Sequence, residues 1–328
     1  MAPPFKILSV DGGGIRGLVP ALVLTEIERR TERPISSLFD LVAGTSTGGI
    51  IALGLTKPNE NGGPAFTAKE IADLYLGKGK RIFSAPLLHQ VLSAWGLLDE
   101  KYPAKEVEAV FEEYFGDARL EDALTEVLVT SFDIEAREPW LFRRKSARET
   151  PETHDFPMKT VVRATSAAPT YFEPLRIERG GGKKDWALVD GGVYANNPAM
   201  CALVDARTLY GACDVLAVSL GTGIPTKGIP WKDAKNWGVA GWARPLLDIM
   251  FEGVADTVAY QVQQLCPPVA GKRRYYGFQV LLPDLETAVD DIDDASERTL
   301  QKVREVTEEM ITARSADLDE LCGQLTEA

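Results

Sequence analysis

The chain has 328 residues, 45% of them hydrophobic and 26% charged, which suits a folded soluble protein with a sizeable core. Its 36 basic residues stand against 48 acidic ones, for a formal net charge of −12. That balance argues against nucleic acid as a main partner and against strong electrostatic attachment to anionic membranes.

In chain order, "FKILSV" at residues 5–10 is a short apolar run that ends at Asp11 and three glycines, and it reads as a buried strand. Leu18, Leu22, Val23 and Ile27 then recur at helical spacing. "FDLVAG" (residues 39–44) is a second strand, and "TGGIIALGLTK" after it is a very apolar, central helix. Strand, turn and helix repeated twice predict βαβ units around a mostly parallel sheet. Between about residues 57 and 120 the pattern changes to a loop, a helix start at Thr67 and further helical stretches, expected as an insertion outside the sheet. "EVLVTSFDI" and "PWLFRR" read as strands, and "TVVRATSAAP" as a short helix ended by Pro169. "WALVDGG" is a strand, and "NNPAMCALVDARTLYG" a helix with Pro198 near its start. "DVLAVSLGTG" is another strand ending in a glycine turn. Beyond it the region 231–265 reads as helical, "RRYYGFQVLL" as a late strand, and residues 296–325 as a closing helix. The expectation is one α/β domain over residues 1–328, with core motifs at 5–223 and a helical and strand extension at 224–328.

Cys201, Cys213, Cys266 and Cys322 form no C-x-x-C pair, and no histidine stands near one at metal spacing. No metal or other cofactor is expected. No signal peptide, no run of about 18 apolar residues and no prenylation signal is legible, so the expected location is the cytoplasm.

Three motifs carry chemistry. Gly44-Thr45-Ser46-Thr47-Gly48 puts a serine between an apolar strand and an apolar helix. A serine on such a turn stands exposed at the strand's C-terminal end, small neighbours let the backbone make the turn, and the helix aims its N-terminal N–H groups at it. Gly12-Gly13-Gly14-Ile15-Arg16-Gly17 fits the dinucleotide fingerprint G-x-G-x-x-G, but the acidic residue such a site wants at the end of the second strand is not there: Asp40 comes at that strand's beginning. The same glycines can instead turn N–H donors inward as an oxyanion hole, with Arg16 either adding positive charge or pairing on the surface. The base is the third question. His89 lies among helix-like apolar residues and His154 in a polar loop bracketed by prolines; neither follows a strand end. Asp190 does, in "ALVDGGVYANNP", and a carboxylate beside a serine can accept its proton if its surroundings tune its pKa. An ordinary Asp-Gly turn is the competing reading of that residue.

Together "DGGGIRG" (residues 11–17), "GTSTGG" (44–49), "RATSAAPTYFEP" (163–174), "VDGGVYANNP" (189–198) and "SLGTG" (219–223) resemble the patatin-like phospholipases, which include the plant patatins and the calcium-independent phospholipases A2. The resemblance implies a three-layer fold with a mostly parallel sheet between helices. It implies a Ser-Asp dyad without a catalytic histidine: Ser46 as nucleophile, Asp190 as base, and the loop of Gly12, Gly13, Gly14 and Arg16 as oxyanion hole. The implied activity is lipid acyl hydrolysis through an acyl-enzyme, without calcium. The implied partner is a phospholipid or other lipid ester, with peripheral contact to a membrane as an option. An acyltransferase sharing the acyl-enzyme, and a lipid-binding or storage protein with a silent dyad, are the rival readings. "SAAPTYFEP" is expected either to line the pocket or to pack beside the dyad. The Leu- and Trp-rich stretches at 81–98 and 231–253 would be lids, lipid-contacting surfaces or buried helix faces.

Overall fold

The computed structural model describes residues 3–78, 104–169, 172–179, 184–226, 228–282 and 296–327. His89 and the stretch 81–98 lie outside the described residues. β1 (Phe5–Val10) passes through a 3-10 turn (Gly14–Gly17) into α1 (Leu18–Thr31). β2 (Leu41–Gly44) passes into α2 (Thr47–Thr56), whose ten residues are all buried, as its apolar composition requires. α3 (Ala68–Asp73) starts at Thr67, where a capping box forms: Glu70 N–H donates to Thr67 Oγ1 (3.2 Å) and Thr67 N–H to Glu70 Oε2 (2.8 Å). Next come α4 (Ala104–Phe115), the hairpin of β3 (Glu126–Asp133) and β4 (Glu138–Arg143), and α5 (Met158–Thr165). β5 (Leu175–Ile177), β6 (Trp186–Asp190), α6 (Ala199–Thr208), β7 (Val215–Leu220), β8 (Ile224–Pro225) and α7 (Val239–Leu265) follow. β9 (Tyr275–Phe278), β10 (Leu281–Leu282), α8 (Glu297–Ala313) and α9 (Ser315–Thr326) close the chain.

The main sheet has eight strands, in the order β5-β6-β3-β2-β1-β7-β9, with β4 beside β3. β3, β2, β1, β7 and β9 are mutually parallel, and β4, β5 and β6 are antiparallel to their neighbours. Alternate residues face opposite layers. Leu8 and Val10 of β1 pack with α1, α2, α8 and α9, whereas Ile7 packs with Leu203 and Ala206 of α6 and Val262 of α7. This is the expected three-layer α/β arrangement. The region beyond 223 is woven into it: β9 extends the sheet beside β7, and Leu300, Val303, Leu318, Leu321 and Leu325 are buried in the same cluster as Leu8 and Leu18.

Three expectations differ in detail. The helix expected to run to Pro169 stops at Thr165. The closing helix is two helices broken at Arg314, and the region 231–265 splits at Gly238. Of the alternatives left open for 231–253, a wholly buried helix face is set aside, since Trp242, Leu246, Ile249 and Met250 of α7 are exposed. No helix among the described residues is long and apolar enough to cross a membrane.

β6 is the element that matters most for the site. β3 is longer than β2: Glu126 to Val129 pair with Leu41 to Gly44, while Ser131 to Asp133 pair with Asp190 to Leu188 on the same edge, since β4 occupies the other. β2 runs with β3 and β6 runs against it. Their C-terminal ends therefore meet head-on at Thr130.

Candidate active site

The serine turn and the aspartate turn are brought together by that head-on meeting. Thr45 Oγ1 donates to the Ala195 carbonyl (2.7 Å), so the hydroxyl of Thr130 is the donor in its 2.7 Å bond with Thr45 Oγ1. One buried hydroxyl pair thus ties β2, β3 and the segment after β6 at one point.

Ser46 has φ 55° and ψ −122°, a conformation that costs a non-glycine residue about 1–3 kcal/mol and persists only when its surroundings impose it. The imposition is visible. A Cβ on Gly44 would stand 2.1 Å from the Gly48 carbonyl oxygen, and one on Gly48 would stand 2.1 Å from that of Val10. The glycines either side of Ser46 are thus required by close backbone approach, as the motif suggests. Ser46 N–H donates to Thr165 Oγ1 (2.8 Å), and Gly49 and Ile50 N–H return to the Ser46 carbonyl (2.9 and 3.1 Å) to start α2.

Asp190 is 3% exposed. Burial pushes its carboxyl from 3.8 up to about 7, against hydrogen bonds from the Ser46 hydroxyl and the Gly192 N–H, which favour the charged form. The Gly192 bond is 2.8 Å, to Oδ1. Asp190 N–H donates to the Ala167 carbonyl (2.9 Å). The motif at 163–174 therefore braces both backbones, Ser46 through Thr165 and Asp190 through Ala167. That favours packing beside the pair over pocket lining for this part of the motif; Thr170 and Tyr171 lie outside the described residues. Asp190 stands at a strand's C-terminal end, as expected, but β6 reaches the site from the direction opposite to β2.

The glycine loop lies against the same point: a Cβ on Gly12 would be 3.4 Å from Ser46 Cβ. Gly12 N–H donates to the Asn196 carbonyl (3.0 Å), and Arg16 N–H to the Gly13 carbonyl (3.1 Å). Asp11, at the head of the loop, is 4% exposed, and burial, with Asp256 nearby, raises its carboxyl well above the usual range. His154 is engaged elsewhere: its ring stacks on Trp140 (centroids 5.8 Å apart) and Nδ1 lies 2.8 Å from the hydroxyls of Thr150 and Thr153. α7 reaches the aspartate turn through Phe251, whose Cε1 would lie 3.4 Å from a Cβ on Gly192.

A sequence profile described as patatin-like phospholipase matches residues 8–203. The chain belongs to this family. Relatives include patatin-like protein 2 of Oryza sativa subsp. indica, 31% identical over 350 residues that cover 95% of this chain and 85% of the relative. The probable inactive patatin-3-Kuras 1 of Solanum tuberosum is 31% identical over 325 residues, covering 91% and 85%. Among solved structures, VipD from Legionella pneumophila superposes with a TM-score of 0.40 at 13% identity, covering 95% of this chain and 67% of that one. Ser46, Asp190 and the glycine loop all fall within the matched stretch of this patatin-like chain, and the brace at 165–167 does too. Motif reading left this part open between pocket lining and packing beside the dyad; its signal is the "RATSAAP" motif.

Proposed function

We propose that this patatin-like chain is a lipid acyl hydrolase of phospholipase A, lysophospholipase or galactolipase type, working through a Ser46–Asp190 dyad. The observation that carries the reading is the head-on meeting of the strained Ser46 elbow with the end of β6, where the buried Asp190 carboxyl is held near neutrality. Ionised Asp190 takes the Ser46 proton, and Oγ attacks the ester carbonyl. The oxyanion is received by the N–H groups of Gly13 and Gly14, since those of Gly12 and Arg16 are already committed to internal carbonyls. Asp190 then gives the proton to the leaving alcohol, leaving the acyl group on Ser46. Water, deprotonated by Asp190, attacks that ester, and Asp190 returns the proton to Ser46 Oγ as the fatty acid leaves. Gly192 N–H steadies the carboxylate each time it ionises. No step uses histidine or calcium. The reading takes the protein as cytoplasmic, meeting its lipid peripherally.

The test is fatty-acid release from mixed phospholipid vesicles with chelator present, comparing native protein with Ser46→Ala and Asp190→Ala. Release by the native protein that disappears in both variants supports the dyad. Equal release by either variant sinks it. A native protein that neither releases fatty acid nor reacts with a fluorophosphonate at Ser46 would instead be a silent member of the family.

A further inference from the structure

The motif "SLGTG" at 219–223 has no part in the Ser–Asp chemistry itself, yet it runs directly behind the glycine loop. The Leu220 carbonyl accepts Asp11 N–H (3.0 Å). Thr222 is 4% exposed, and its Oγ1 donates to the Gly12 carbonyl at 2.7 Å. The mount of that hydroxyl is stiff: Gly221 N–H donates to the Phe278 carbonyl (2.9 Å) and Gly223 N–H to Gln279 Oε1 (2.7 Å).

The Gly12 carbonyl accepts a second, longer bond from Asn196 Nδ2 (3.5 Å), and peptide geometry turns these bonds into an orientation. A trans amide is planar, with the carbonyl oxygen and the following Cα on one side of the C–N bond, and the preceding Cα and the N–H on the other. The chain has no cis peptide among the described residues. For the Gly12–Gly13 peptide, the oxygen and Gly13 Cα are on the Thr222 side: a Cβ on Gly13 would stand 2.2 Å from Thr222 Oγ1. Gly12 Cα and the Gly13 N–H share the other side, where a Cβ on Gly12 would stand 2.4 Å from Asn196 Oδ1 and 3.4 Å from Ser46 Cβ. Holding the oxygen back therefore keeps the N–H on the Ser46 side. A flip of this peptide would present a carbonyl oxygen there and repel an oxyanion. Two glycines flank the bond, so sterics alone oppose a flip weakly.

We propose that Thr222 is a positioning residue that locks the Gly12–Gly13 peptide and so aims the Gly13 N–H at the reacting oxyanion. The inference rests on the oxyanion-hole reading above. Asn196 assists it twice: its carbonyl accepts Gly12 N–H, which fixes the preceding peptide, and its Nδ2 adds a longer bond to the Gly12 carbonyl.

The full chain, Thr222→Val, Thr222→Ser and Ser46→Ala are compared on a soluble p-nitrophenyl ester, each confirmed folded by circular dichroism. Thr222→Val is expected to lose about 10- to 100-fold in kcat, approaching the loss of one oxyanion donor, with KM changed by less than about threefold. Thr222→Ser keeps the hydroxyl and is expected to retain kcat within about threefold. Affinity for a trifluoromethyl ketone, which puts an oxyanion in the hole, should fall in Thr222→Val by the same factor as kcat. A folded Thr222→Val with native kcat overturns the lock, as does a Thr222→Ser equally impaired. If the native protein hydrolyses no ester in a Ser46-dependent way, the hydrolase reading and the lock fail together; Ser46-dependent hydrolysis indifferent to Thr222 removes the lock alone.

Discussion

Ser46 and Asp190 each carry a cost for their position, and the costs can be measured. Asp190 titrates near 7 in the fold against 3.8 as an ordinary carboxyl, so the folded chain binds its proton more tightly than the unfolded one. Between pH about 4 and 7 stability therefore falls as pH rises, and this contribution is fully lost above 7. Asp190→Asn removes the ionisation: its urea midpoint should vary less than the native one over that window and lie above it at pH 8. A native midpoint that climbs more steeply than the variant's from pH 4 to 7 would contradict this. Asp11 is shifted in the same direction but is common to both proteins, so the difference isolates Asp190. The same ionisation predicts that acylation of Ser46 speeds up as pH rises through about 7; a rate flat from pH 5 to 8 would exclude Asp190 as the base. Thr165→Val leaves the Ser46 N–H without its acceptor and should cost about 1–3 kcal/mol in urea denaturation, with Thr165→Ser close to native.

At the level of elements, the backbone contacts around the serine turn leave little room. Gly48→Ala would drive a methyl group into the Val10 carbonyl, joining α2 to β1 too closely for either to keep its place. That variant is expected to be recovered unfolded or insoluble, and a native-like thermal transition would show that the turn relaxes. The capping box at Thr67 predicts a milder effect: Thr67→Ala should lower stability by about 0.5–2 kcal/mol without changing ester hydrolysis. Thr67 announced itself in the sequence because cap and turn chemistry is local. The direction of β6 did not. "WALVD" identifies a buried strand by its apolar run, but the same run serves a parallel or an antiparallel strand.

For the molecule as a whole, the region after residue 223 is part of the fold's core rather than an appendage. α8 and α9 cover α1, and Leu321 is fully buried against it. Leu321→Ala is expected to cost about 2–5 kcal/mol, read from chemical denaturation. A chain ending at residue 295 would expose Leu18, Leu24 and Ile27, and should not yield a soluble protein with a cooperative unfolding transition; one that does would show the last two helices to be dispensable.

The local pieces were legible from the chain alone: the glycine-flanked serine turn, the Asp-Gly-Gly turn, the glycine loop, and the strands and helices whose apolar spacing has only one satisfactory reading. These follow from forces acting over a few residues, namely backbone sterics at Gly44 and Gly48, capping at Thr67 and apolar periodicity in β1 and α2. What those pieces do to one another depends on how the whole chain packs. That packing sets β6 head-on to β2 along one edge of β3, gives Ser46 and Asp190 a common brace at Thr165 and Ala167, and puts Thr222 behind Gly12. Each of those contacts joins segments far apart in the chain, and the raised pKa of Asp190 comes from burial that no stretch of its own neighbours could supply.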